Sequence, residues 1–233
     1  MTNRKKVVNY VKNRNDNLKQ QKFGNVSLFI KDKMSNNINL KVVFKHINSI
    51  LPYSIINLID IIYVGDFDFL NERDVSALYL DNAIYLSNQH DDEEDLIDDI
   101  VHEFAHAVED RYAYYLYNDR GIEKEFLGKR RRLESILRYE RYNTKKYDFL
   151  NYQYNKEFDN FLYNEIGNQK LNYLVRDLFL RAYAAVSLRE YFATAFEEFY
   201  LGNFKNIKEI SPYLYEKINL INQEQIEINN NEL

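Results

Sequence analysis

Between residues 77 and 86 the chain carries two short β-prone runs, Ala77-Leu78-Tyr79-Leu80 and Ala83-Ile84-Tyr85-Leu86, separated by Asp81-Asn82. Two such runs with two turn-forming residues between them predict a tight hairpin. A β-branched run over residues 59–64 stops at Gly65 and predicts a further strand. Ahead of it, residues 40–51 read as a short helix that ends at Pro52. After Ser87 the apolar spacing becomes helical and mostly stays so: residues 91–110, 122–141, 150–165, 170–182, 188–201 and 212–222 are expected helices. Leu171, Leu174, Val175, Leu178, Phe179 and Ala182 follow the i, i+3, i+4, i+7, i+8, i+11 template throughout. A small mixed sheet followed by a mainly helical C-terminal part is an α+β arrangement.

Residues 1–37 are rich in Asn, Lys and Gln and show little periodicity, so they are expected to form a basic, polar N-terminal arm with at most one short helix. With two prolines in all and no Pro/Gly-rich linker, residues 38–222 are expected to form one domain, and residues 223–233 a polar tail. The most apolar stretch, residues 53–65, is interrupted by Asn57 and Asp60 and is too short to span a membrane. The basic start lacks the apolar core of a signal peptide. The chain is therefore expected in the cytoplasm, in a particle, or exported by another route.

Composition narrows the chemistry. The 233 residues are 45% hydrophobic and 29% charged, which excludes global disorder. The absence of cysteine excludes a disulfide scaffold, a Cys-ligated zinc finger, an iron–sulfur site and a thiol nucleophile. The net charge of −5 conceals a division along the chain. Residues 1–41 carry ten Lys/Arg against two acids, and residues 42–110 carry two against sixteen. Nucleic acid is not the expected partner of such a surface, whereas cations and basic peptide segments would be attracted to the acidic stretch.

Within that acidic stretch, His102-Glu103-Phe104-Ala105-His106 matches H-E-x-x-H, in which two histidines one helical turn apart grip one metal ion and the intervening Glu acts as base. At about 100° per residue, Ile97, Ile100, Val101, Phe104 and Val108 share one stripe, and the two histidines fall on the opposite side. The pattern arises by chance in about half a per cent of random chains of this length, from residue frequencies alone. The plainer reading is a pair of solvated histidines on an acidic helix, where the carboxylates of residues 91–99 favour the helix N-terminus through its dipole.

Catalytic zinc takes three protein ligands and keeps an open position for water. Without cysteine, and with His46 and His90 in less suggestive settings, the third ligand should be a carboxylate. Glu109 and Asp110 share the histidines' helix, but Glu109 lies three residues beyond His106 and does not easily bend back to the same ion. Downstream, Leu188, Phe192, Ala195, Phe196 and Phe199 form an expected buried stripe, while Glu190, Ala193, Thr194 and Glu197 face the other way. Spacing permits Glu190 as a ligand without selecting it.

The two segments together, His102 to His106 and then Glu190-Tyr191-Phe192-Ala193-Thr194-Ala195-Phe196, resemble the catalytic domain of the zincins that include anthrax lethal factor and the clostridial Pro-Pro endopeptidases. The resemblance covers about residues 40–222. It implies a zincin-like fold and a zinc metalloendopeptidase in which His102, His106 and Glu190 bind Zn²⁺ and Glu103 is the general base. Tyr183, seven residues before Glu190, would be a catalytic tyrosine. Ala83, Ile84, Tyr85 and Leu86 would be the edge strand along which an extended peptide substrate pairs, and residues 211–218 the family's closing helix. The stretch between the motifs is longer than in those relatives, with a helical insertion near residues 111–175. Thr194 stands where gluzincins often keep an acid. A zincin-derived structural or partner-binding protein with little or no catalysis is the alternative. In the insertion, the basic run at residues 129–132 is expected to be a solvated helix face paired with Glu123, Glu125 and Glu134. The tyrosines of residues 112–117 are expected to pack with their phenolic ends wet.

Overall fold

The computed structural model describes residues 19–35 and 38–231. Residues 1–18, 36 and 37 of the expected arm lie outside the described residues. The fold is α+β, and it divides into two compact units, the first ending at Ala107 and the second covering Val108–Glu227.

The first unit is built on a five-stranded mixed sheet in the order β1-β2-β3-β5-β4, where β1 is Lys19–Phe23, β2 Val26–Ile30, β3 Ile61–Val64, β4 Ala77–Leu80 and β5 Ala83–Leu86. Strands β2, β3 and β5 run parallel, and β1 and β4 join antiparallel at the two ends. The β4–β5 hairpin closes through Asp81 and Asn82 at φ +52° and +60°. Two successive positive φ values make the turn whose twist suits a two-residue hairpin, and Asp and Asn tolerate them. The first hairpin turns at Gly24, with φ +58°. These first two strands fall where the sequence predicts a polar arm with at most one short helix. The alternation of Val26, Leu28 and Ile30 with Ser27 and Phe29 is the local signal for β2.

One expectation about the sheet is overturned. Residues 83–86 are not an edge strand: β5 is hydrogen-bonded to β3 on one side and to β4 on the other. All four of its residues are buried, which explains the unbroken apolar run. Among the described residues β4 ends the sheet on that side. One face carries an in-register aromatic row, with Phe29 and Tyr63 centroids 5.7 Å apart and Tyr63 and Tyr85 5.0 Å apart.

Helix α1, Leu40–Ile50, is capped by Asn39, whose side chain accepts from the Lys41 N–H, and buries Val43, Phe44 and Ile47. Short helices α2, Tyr53–Ile56, and α3, Asp68–Asn71, complete the connections. Helix α4, Glu93–Tyr117, begins with Glu93, Glu94 and Asp95 in its first turn and kinks at Tyr112.

The second unit contains α5, Gly121–Tyr139, α6, Lys156–Asn160, α7, Asn168–Val175, α8, Leu188–Leu201, α9, Phe204–Ile210, and most of α10, Pro212–Asn231. Between α6 and α7, residues Phe161–Gly167 form a π-helical turn. The helix expected over residues 170–182 stops at Val175, although Leu178, Phe179 and Ala182 are still buried. Among the described residues no helix is long and apolar enough to cross a membrane.

The basic run on α5 is a solvated face only in part: Arg131 and Arg132 are exposed, as expected, but the first two cations are not. Lys129 and Arg130 are buried, and Arg130 is the largest fully buried side chain described. Ile122, Phe126, Leu133 and Leu137 share that face at helical spacing, so the two cations lie within the apolar stripe. Lys129 Nζ donates to the carbonyls of Leu178, at 2.8 Å, and Ile210, at 2.5 Å. The Arg130 guanidinium donates to Ala185, Val186, Asp148 and Asn151 carbonyls and lies 3.9 Å from the Phe158 ring centre. Burial lowers the Lys129 ammonium to about 8 and the Arg130 guanidinium to about 10. Of the expected acidic partners, Glu134 pairs with Arg138 at 2.5 Å, whereas Glu125 accepts from the Tyr191 hydroxyl and the Tyr213 N–H.

Candidate functional site

Helix α4 carries His102, Glu103 and His106. The stripe of Ile97, Ile100, Val101, Phe104 and Val108 is buried as expected, but burial extends further round the helix. Glu103 and His106 are also buried, and His102 is half-buried. The imidazole rings lie 4.8 Å apart at 87° to one another, which follows from placing them one turn apart on a regular helix. The Glu103 carboxylate accepts a hydrogen bond from the backbone N–H of Tyr79.

That bond follows from the hairpin register. Leu80 opposes Ala83 across a two-residue turn, so Leu78 and Leu80 exchange hydrogen bonds with β5 while Ala77 and Tyr79 turn theirs outward. The Ser87 N–H donating to the Ser76 carbonyl at 2.7 Å continues the same alternation.

Helix α8 begins at Ser187, whose hydroxyl accepts from the Glu190 N–H at 3.2 Å and caps the helix. Glu190 is half-buried on its first turn, where a carboxylate is favoured by the helix dipole. Ala193, Thr194 and Glu197, expected on the polar face with Glu190, are buried instead.

Tyr183 is on a 3₁₀ turn, Ala182–Ala185, and is 48% exposed. That turn is tied down on several sides. Arg181 pairs with the buried Glu197 at 2.6 Å, the Ala182 N–H donates to Asn172 at 3.0 Å, and Arg130 holds the Ala185 and Val186 carbonyls. Arg130 therefore braces the segment between Tyr183 and Glu190. The sequence carries its signal, since residues 129 and 130 interrupt the apolar stripe of α5 at core positions.

A nitrogen of each of His102 and His106 and a carboxylate oxygen of Glu190 all lie within 4.8 Å of one another. Donors around a tetrahedral zinc are about 3.3 Å apart, given Zn–N and Zn–O lengths of about 2.0–2.2 Å. Two neutral nitrogen donors and one anionic oxygen are a donor set suited to a borderline divalent ion, so the triad could hold a metal. Glu109 is not part of this cluster. Its carboxylate accepts from the Tyr117 hydroxyl and lies 3.6 Å from Arg189 Nε. Burial raises its pKa, and the Tyr117 bond and the Arg189 charge counter the rise.

Comparison of the chain with protein-family models, curated proteins and solved structures gives no match in any of the three.

Proposed function

We propose that the protein is a zinc metalloendopeptidase of the gluzincin type, similar to the lethal factor and Pro-Pro endopeptidase zincins. The observation that supports this most is the convergence of His102, His106 and Glu190 donor atoms within 4.8 Å, from motifs more than eighty residues apart. Zinc held there would supply a Lewis acid that makes water nucleophilic near neutral pH and polarises a scissile carbonyl.

The remaining roles belong to side chains. Glu103 takes the proton from the attacking water and returns it to the leaving amine. Tyr183 donates a hydrogen bond to the developing oxyanion, a contact whose removal typically costs about 10²–10³ in rate. Because β5 is paired on both sides, the substrate strand is assigned to β4, whose outward backbone groups are those of Ala77 and the Tyr79 carbonyl, the Tyr79 N–H being taken by Glu103. The Tyr79 N–H that bonds Glu103 faces the same edge. Glu103→Gln tests the reading: the variant should bind zinc as the wild type does and cleave no peptide. Substantial residual cleavage by a zinc-loaded Glu103→Gln protein would refute it.

A further inference from the structure

The stretch between the two motifs does more than lengthen the helical body. Tyr152, Gln153 and Tyr154, together with Tyr117, Glu123 and the first residues of α8, wall a half-open cavity of about 380 Å³. Ligand pockets generally span about 300–1,000 Å³, so this one has room for a long side chain. Glu190 is in its lining, which places the cavity beside a residue of the proposed metal triad.

Its walls are held in place. The Leu188 N–H donates to the Tyr152 carbonyl at 2.8 Å, which joins the inserted segment to the first turn of α8. The Tyr154 hydroxyl donates to Asp159 at 3.0 Å, and the Tyr117 hydroxyl to Glu109. Three phenol rings and Leu188 thus present apolar surface to the cavity, with two of the hydroxyls engaged by carboxylates.

The charges are uneven. Arg189, the one cation in the lining, lies against Glu109 and within 4.0 Å of Asp110. Glu123 is half-buried in the wall and makes no hydrogen bond or ion pair with a described residue. A cavity with aromatic faces and an uncompensated carboxylate favours an apolar stem ending in a cation, through cation–π attraction and a charge-assisted hydrogen bond. It disfavours an acidic group, which would meet the same carboxylates.

We infer that this cavity receives a lysine or arginine side chain of the bound polypeptide, with Glu123 as its counter-charge and the Tyr117, Tyr152 and Tyr154 rings along its stem. The inference rests on the peptidase reading for its biological meaning, since it names a specificity pocket of that site.

The test uses the full-length Glu103→Gln chain without metal, titrated with N-acetyl-arginine methylamide or N-acetyl-norleucine methylamide while the Leu188 methyl resonances are followed. The arginine probe should shift Leu188 and bind about tenfold more tightly than the norleucine probe, the gain expected of one charge-assisted contact. Adding Glu123→Gln should erase that preference. Equal binding of the two probes, or an arginine preference that survives Glu123→Gln, overturns the assignment. Cleavage of a random peptide library by the zinc-loaded wild type separates the two readings. Arginine or lysine should be enriched at one fixed position from the cut. Cleavage without any basic preference removes the pocket and leaves the peptidase, whereas an intact probe preference with no cleavage at all removes the peptidase and leaves the pocket.

Discussion

The backbone N–H of Tyr79 donates to the carboxylate of Glu103, so the strand that ends the described sheet and the central acid of the histidine motif share a hydrogen bond. The bond restrains the carboxylate and fills one outward donor of β4. Glu103→Gln keeps an acceptor for that N–H, and Glu103→Ala does not. Both variants should lose catalysis by at least about 10²–10⁴, the range of general-base contributions. They should differ in stability: the Ala variant should lose about 1–3 kcal/mol for the buried donor left unsatisfied, and the Gln variant clearly less. Chemical denaturation beside peptidase assays checks both halves.

Zinc content should follow the triad. The wild type should retain about one zinc per chain after dialysis, and His102→Ala, His106→Ala and Glu190→Ala should retain almost none, because catalytic zinc needs three protein ligands. Elemental analysis of the purified chains measures this. Tyr183→Phe should keep the metal and lose about 10²–10³ in kcat, since it removes only a donor to the transition state.

Arg130 should be the most sensitive position away from the donor atoms. Its guanidinium, 1% exposed, donates to four backbone carbonyls. Arg130→Met fills similar space but leaves those carbonyls without their donor, and should cost about 3 kcal/mol or more. Arg130→Lys restores a charge but not the planar fork, and should recover part of the loss. Thermal or urea unfolding of the three proteins gives the order.

Stability should fall steeply in alkali. Burial raises the phenols of Tyr85, Tyr117, Tyr191 and Tyr200 above their usual 10.0, and the neighbouring Glu109 and Glu125 carboxylates add to this for Tyr117 and Tyr191. The unfolded chain releases these protons near the usual value, while the folded chain holds them. Above that pH the native state binds more protons, so its stability is lost as pH rises. Lys129 acts in the opposite sense below that range: burial lowers its ammonium to about 8, so it adds stability as pH rises from there towards 10.5. The urea midpoint should be lower at about pH 11 than at about pH 9.5, with tyrosinate absorbance of the buried phenols appearing only on unfolding.

Local patterns were legible in the sequence where one segment settled its own structure. Helix α8 spans the expected residues 188–201, and the β4–β5 hairpin turns where Asp81-Asn82 predicts. The edge-strand expectation failed because strand order is set by distant partners. Nothing local to Ala83–Leu86 reveals that β3 lies alongside, although four consecutive buried residues are the mark of a central strand. Strands β1 and β2 were hidden by a basic, Asn-rich composition that outweighs the short alternation of residues 26–30. Lys129 and Arg130 were hidden by the general rule that charge faces water, although helical spacing placed them among Phe126, Leu133 and Leu137. Within the candidate site, the placement of the two histidines was the most legible part. A donor pair one helical turn apart is fixed by helix geometry, while Glu190 needed the resemblance to single it out before its approach to the histidines could be observed.

Cleavage of a random peptide library by the purified chain, with and without a zinc chelator and after zinc is restored, tests the central claim most directly. The account predicts endoproteolysis that disappears with the chelator, returns with zinc, and is absent from a Glu190→Ala chain at every stage. Cleavage indifferent to the chelator, or undiminished in the Glu190→Ala chain, would contradict it.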